Sequence, residues 1–119
     1  MSHRSIMHRT ALCATLSLAA TALLFTGKAM AVDADAAQGL ARQNKCFTCH
    51  AVDKKKVAIA WKDVAVKYKG DKDAEAKLYK HLTTGPKVKT DDGNEQEHPV
   101  VKSKNPDDIK NLVAWILSL

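Results

Sequence analysis

Beyond residue 31 the apolar positions of this chain fall on helical spacings, separated by residues that start and stop helices. Trp61, Val64, Ala65 and Tyr68 recur at i, i+3, i+4 and i+7, one face of a helix that Gly70 ends. Ala74, Leu78 and Leu82 follow every four residues, with Asp71 or Asp73 as the cap and Gly85-Pro86 as the stop. Ile109, Leu112, Val113 and Ile116 form the buried face of a last helix behind Asn105-Pro106-Asp107-Asp108. There Asn105 caps, Pro106 takes the first helical position where no amide hydrogen is needed, and two carboxylates face the positive end of the helix dipole. Upstream, Asp33 and Asp35 precede Ala36 to Asn44, good helix formers with Leu40 on one face, which predicts a short first helix. The pattern is all-α, with about four short helices and no internal repeat.

Gly85 to Lys104 breaks the pattern. These 20 residues have few apolar positions, no helical period and no alternation of the kind a strand shows. A structureless loop of that length in a small domain is usually functional.

Residues 1–31 are different in kind. They hold Arg4, Arg9 and Lys28 but no Asp or Glu, and Thr10 to Phe25 is an apolar run rich in Ala and Leu. The run is short for a membrane span, and Ala29-Met30-Ala31 has the small-x-small form of a cleavage site, so residues 1–31 read as an export signal cut after Ala31. An uncleaved membrane anchor is the competing reading. Cys13 lies too early in the apolar run for a lipoprotein site. The domain is then 32–119, with no stable membrane insertion after cleavage.

Composition sharpens this division. Without the leader's three basic residues, sixteen Lys and Arg stand against thirteen Asp and Glu, a formal charge of +3. So weak a charge, with no aromatic-interleaved basic motif, gives no reason to expect a nucleic-acid partner. A chain this short often needs a staple or a cofactor to complete its core. Removing the leader also removes Cys13 and all three methionines, Met1, Met7 and Met30, leaving Cys46 and Cys49 as the only cysteines.

Those two cysteines lie in Cys46-Phe47-Thr48-Cys49-His50, the CxxCH pattern of covalent haem attachment. Two thiols at this spacing reach the two vinyl groups on one porphyrin edge, and the next residue brings an imidazole under the iron, which makes His50 the proximal ligand. A redox disulfide would want a thioredoxin-like βαβ context, and a zinc site would need two more ligands close together. His81 and His98 are seventeen positions apart, and the chain reads as helical throughout.

With these residues the chain resembles the small bacterial class I c-type cytochromes across nearly all of residues 35–119. Trp61-Lys62-Asp63-Val64-Ala65 followed by Lys67-Tyr68 resembles the helix after the haem motif, and Ala114-Trp115-Ile116-Leu117-Ser118 resembles the end of the last helix. The resemblance implies an all-α fold wrapped around one covalent haem c and its iron, first and last helices crossing beside it, one porphyrin edge exposed for electron exchange, and export to the periplasm.

Two departures from the family pattern stand out. Ala58-Ile59 replaces the Gly-Pro whose proline carbonyl holds the proximal imidazole, so a carbonyl remains at Ile59 without its rigid placement by a ring. His98-Pro99 replaces the Met-Pro that supplies the sixth ligand, and no methionine survives export, which makes His98 the natural distal ligand. His81 or an open sixth position are the alternatives; His81 otherwise reads as an ordinary, partly exposed helix histidine. Methionine ligation raises the potential, so histidine in its place implies a lower one.

The function expected is one-electron transport without enzyme chemistry, between a donor and an acceptor whose identity the sequence does not give. The alternatives are a binder or sensor of carbon monoxide or nitric oxide, if His98 leaves the iron, and a subunit docked on a larger oxidoreductase. Trp61, Tyr68 and Trp115 read as packing residues. Lys54 to Lys56, Lys62, Lys67, Lys87, Lys89, Lys102 and Lys104 read either as a solvated face or as a ring that steers an acidic redox protein.

Overall fold

The computed structural model describes residues 31–119, and the rest of the expected leader, Cys13 included, lies outside the described residues. The element order is α1 (Ala34–Gln43), a single 3-10 turn (Cys46–Thr48), α2 (Trp61–Lys67), α3 (Ala74–Thr84), β1 (Lys87–Lys89), β2 (Glu95–Glu97) and α4 (Pro106–Leu117).

Helix α1 begins two residues earlier than expected. The Asp33 carboxylate accepts the Ala36 amide hydrogen at 2.9 Å, a local cap that pulls Asp35 into the first turn, where it faces the helix dipole. At α4 the expected cap forms, with the Asn105 side chain accepting from the Asp107 amide. At α3 the two candidate aspartates divide the work. Asp73 occupies the cap position without a side-chain bond, while the Asp71 carboxylate accepts from the Asp73 amide at 2.9 Å and from Lys77 Nζ at 2.7 Å. The Lys77 bond holds the Asp71 carboxyl below its ordinary range.

Helix α4 is the centre of the core and packs on α1, α2 and α3. Its predicted apolar face, Ile109, Leu112, Val113 and Ile116, is buried, as are Ala37, Leu40 and Ala41 of α1, Trp61 of α2, and Leu78 and Leu82 of α3. The α1–α4 crossing is fastened at one end by Asn111. Its side-chain amide accepts from the Asp33 N–H at 2.9 Å and donates to the Asp33 carbonyl at 2.8 Å.

The expectation of a stretch without β structure between α3 and α4 is corrected here. β1 and β2 pair antiparallel, Lys87 opposite Glu97, Val88 opposite Gln96 and Lys89 opposite Glu95. Strands of three residues are too short to show an alternation in sequence. The pairing is favoured by two opposite-charge cross-strand pairs and by a turn in which the Thr90 amide donates to the Asn94 carbonyl and Gly93 takes φ +83°. The fold remains mostly helical, with this hairpin as its one described sheet.

Candidate functional site

The CxxCH segment leaves α1 through Lys45, which sits in the left-handed region at φ 57°, and turns back on itself in one 3-10 turn. The turn closes through the amides of Cys49 and His50, both donating to the Cys46 carbonyl. Downstream, Ala58 donates to the Cys49 carbonyl, Trp61 to Ala51 and Lys62 to Val52, while Lys56 Nζ reaches the Phe47 carbonyl at 2.7 Å. Residues 46–62 are thereby folded into one locally bonded unit.

That unit orients His50. Its Nδ1 lies 2.9 Å from the Ile59 carbonyl, and because a carbonyl only accepts, Nδ1 carries the proton and Nε2 keeps its lone pair. The carbonyl expected at Ile59 is therefore in use without a proline. Trp61, 4 % exposed, stacks on the His50 ring at 5.6 Å and 20°, and meets Phe47 and Trp115 edge-on.

Cys46, Cys49 and His50 line one side of a cavity of about 380 Å³. Its walls are largely apolar and include Leu78, Leu82, Val88, Val101, Leu112 and Ile116. His81 and His98 face the same space. The ring centres of His50 and His98 are 6.2 Å apart, and those of His81 and His98 are 4.6 Å apart. His98 Nδ1 lies 2.9 Å from the Pro99 carbonyl, which again leaves Nε2 with the lone pair. Burial pushes the pKa of His50 and of His98 below its usual value, against the raising effect of each carbonyl, so both are neutral imidazoles at neutral pH, the form that binds metals. Burial also lowers His81, aided by its nearness to the titratable His50 ring and by the Lys67 charge, and it pushes the Cys46 thiol up.

The residues fit a haem. Two imidazoles sharing one metal through Nε2, at metal–nitrogen bonds of about 2 Å, have ring centres roughly 6 Å apart, close to the separation of His50 and His98. Both cysteines are free and stand on the same wall as His50. A zinc site fits less well, since among the described residues no three or more His, Cys, Asp or Glu side chains are grouped to hold a metal ion.

The family model for cytochrome c matches residues 34–119. The chain belongs to the cytochrome c family. Cytochrome c-551 of Pseudomonas aeruginosa is 36% identical over 106 residues, covering 88% of this chain and 94% of the relative. Cytochrome c-552 of Nitrosomonas europaea is 38% identical over 105 residues, covering 87% and 92%. Among solved structures, the class 1 cytochrome MtoD of Sideroxydans lithotrophicus ES-1 is 57% identical, with a TM-score of 0.71 over 74% of this chain and 97% of that one. The protein is a small class I c-type cytochrome, an electron carrier with one covalently bound haem c and its iron, and Cys46 and Cys49 fit the attachment motif.

Several features of this cytochrome's site carry no sequence signal. Gly85 reads as a helix stop, yet a Cβ there would come 2.7 Å from the His98 carbonyl oxygen and 3.0 Å from Val100 Cγ2. The hairpin tip is tied to the CxxCH side by the Lys55–Asp91 ion pair and by the Asp91 amide donating to the Val57 carbonyl. Of the lysines singled out, Lys67 and Lys89 line the cavity, joined by Lys45, while Lys55 and Lys56 are engaged within the fold. Tyr68 lines the cavity, whereas Trp115 supports it from behind Trp61.

Proposed function

We propose that this cytochrome is an exported, periplasmic one-electron carrier whose iron is held between His50 and His98, with thioether bonds to Cys46 and Cys49 and no catalysis of its own. The reading rests on one observation above all, the two neutral imidazoles 6.2 Å apart across the cavity, each with Nδ1 occupied by a backbone carbonyl. Bound haem supplies an iron that gains and loses one electron. The chain's own residues hold both imidazoles in the ligating tautomer and keep water from the cavity with largely apolar walls.

His98 is favoured over His81 because its ring centre stands 6.2 Å from that of His50, the separation two imidazoles on one iron need, and because its Nδ1 faces the Pro99 carbonyl, which leaves Nε2 to bind. Histidine supports ferric iron better than a thioether does, so the potential lies below that of methionine-ligated relatives. Donor and acceptor are redox proteins, met either in free solution or within a larger redox complex. Among the described residues no helix is long and apolar enough to cross a membrane. The reading has residues 1–31 removed at export.

His98→Ala should keep its haem through acid-acetone extraction, shift the ferric spectrum from low-spin toward high-spin and bind carbon monoxide readily when reduced. His81→Ala should do neither. A His98 variant that keeps the wild-type spectrum, beside a His81 variant that loses it, would overturn the choice of ligand. A wild type already high-spin would favour gas binding. Mass spectrometry of the periplasmic protein should find Val32 first, and an intact 1–31 segment would contradict export with cleavage.

A further inference from the structure

Residues 98–102, which carry His98, are fastened to the rest of the fold by four hydrogen bonds. Two run from backbone to backbone toward α3, from the His98 amide to the Pro86 carbonyl and from the Val101 amide to the Leu82 carbonyl. The other two go through one side chain. Asn44 Oδ1 accepts the Lys102 N–H at 2.8 Å, and Asn44 Nδ2 donates to the Lys102 carbonyl at 3.1 Å. The same Nδ2 donates to the Leu40 carbonyl at 3.0 Å, which locks the amide against the end of α1.

Asn44 stands two residues before Cys46 and Lys102 four residues after His98, yet the two partners are 58 residues apart in the chain. Among the described residues, this amide makes all the hydrogen bonds between the α1–CxxCH segment and residues 98–104. It therefore joins the segment that anchors the haem to the segment that brings the second imidazole.

We propose that Asn44 is a positioning residue for the distal ligand, a clamp that keeps the His98 strap closed on the attachment segment and so slows departure of His98 from the iron. The inference rests on the reading of His98 as ligand. An amide whose donor and acceptor pair with the C=O and N–H of one residue copies a hydrogen-bonded pair of antiparallel strands, so it resists both sliding and lifting of the strap. Asn44 touches no reacting atom; it acts through residues 99–102.

The fold contains its own control. Asn111 makes the same double hydrogen bond with the backbone of Asp33, joining α1 to α4 at the far end of α1 from the haem motif. Asn111→Ala loses this double bond, and Asn44→Ala loses its counterpart together with the bond to Leu40, so both should lower stability, Asn44→Ala somewhat more. Only Asn44→Ala should change ligand exchange.

The test is the rate at which carbon monoxide binds the reduced, haem-loaded protein, measured for wild type, both variants and His98→Ala. Losing bonds of ordinary strength should raise the rate roughly tenfold in Asn44→Ala, with the ferric low-spin spectrum kept and the rate in Asn111→Ala unchanged. Equal rates in the two asparagine variants would overturn the clamp. A His98→Ala variant with the wild-type spectrum would instead overturn the ligation reading. Hydrogen exchange in the wild type tests the clamp without any substitution. The Lys102 amide should be protected at least as well as the Val101 amide, and exchange at the rate of a free loop amide would overturn the inference.

Discussion

On the proximal side of the cavity, residues 46–62 hold one another. His50 reaches Ile59 and Lys56 reaches Phe47, nine positions away in each case, and the amides of Ala58, Trp61 and Lys62 close back on Cys49, Ala51 and Val52. On the distal side, among the described residues, the one hydrogen bond of the His98 ring goes to the adjacent Pro99 carbonyl, and the His81 ring packs on it at 4.6 Å. The His98 strap is fastened to Pro86, Leu82 and Asn44, the last contact crossing 58 residues. A locally bonded wall forms with the first turns of the chain around it. The distal wall exists only once α1, α3 and the hairpin have met, and is correspondingly easier to open.

This difference predicts where substitutions hurt most. Trp61→Ala should be the most damaging, because it removes a buried ring that touches His50, Phe47 and Trp115 at once. A loss of about 3–5 kcal/mol is expected in chemical denaturation of the haem-loaded protein. A loss below about 1 kcal/mol, under what even an Ile→Val trim in a core often costs, would mean that the proximal wall does not depend on its aromatic stack.

A smaller effect separates two glycines of the distal side. Gly85 and Gly93 both sit at positive φ, +60° and +83°, where any Cβ costs roughly 1–2 kcal/mol. At Gly93 the new Cβ meets nothing within 4 Å, whereas at Gly85 it meets the His98 carbonyl. Gly85→Ala should therefore destabilise more than Gly93→Ala, and it alone should perturb the ferric spectrum by moving His98. Equal losses with an unchanged spectrum would show that the strap is not seated on Gly85.

The same contrast explains what the sequence made legible. The helix faces followed from Trp61, Leu78, Leu82 and Ile109 to Ile116, and the attachment motif from Cys46 to His50, because periodicity and spacing are local properties. The Ile59 carbonyl was also foreseeable, standing at a fixed offset from the motif. His98 stood out only through its place before Pro99 and through the absence of methionine after residue 31. The hairpin was missed because Lys-Val-Lys and Glu-Gln-Glu are each too short to carry a period and find each other only across a turn. The clamp at Asn44 and the seat at Gly85 were illegible, since both depend on partners brought close by the finished fold.

Acidification should give the mildest effect. The pKa of His81, the histidine left off the iron, lies below 6.5 in the fold, mainly through burial. Below about pH 6.5 the unfolded chain then binds more protons than the folded one, so stability is fullest above that value and falls as pH drops through the depressed folded value. Denaturation of the haem-loaded protein between pH 7.5 and pH 5, the range about the ordinary histidine pKa of ~6.5, should show this decline. Stability that rises on acidification would contradict a neutral, half-buried His81 imidazole.

The central claim, an iron shared by His50 and His98, is tested most directly by pulsed electron paramagnetic resonance of the ferric protein carrying nitrogen-15 in its histidines alone. The wild type should show hyperfine coupling from two iron-bound imidazole nitrogens, and His98→Ala should show one while His81→Ala keeps two. A single coupled imidazole in the wild type, or two in His98→Ala and one in His81→Ala, would contradict the account.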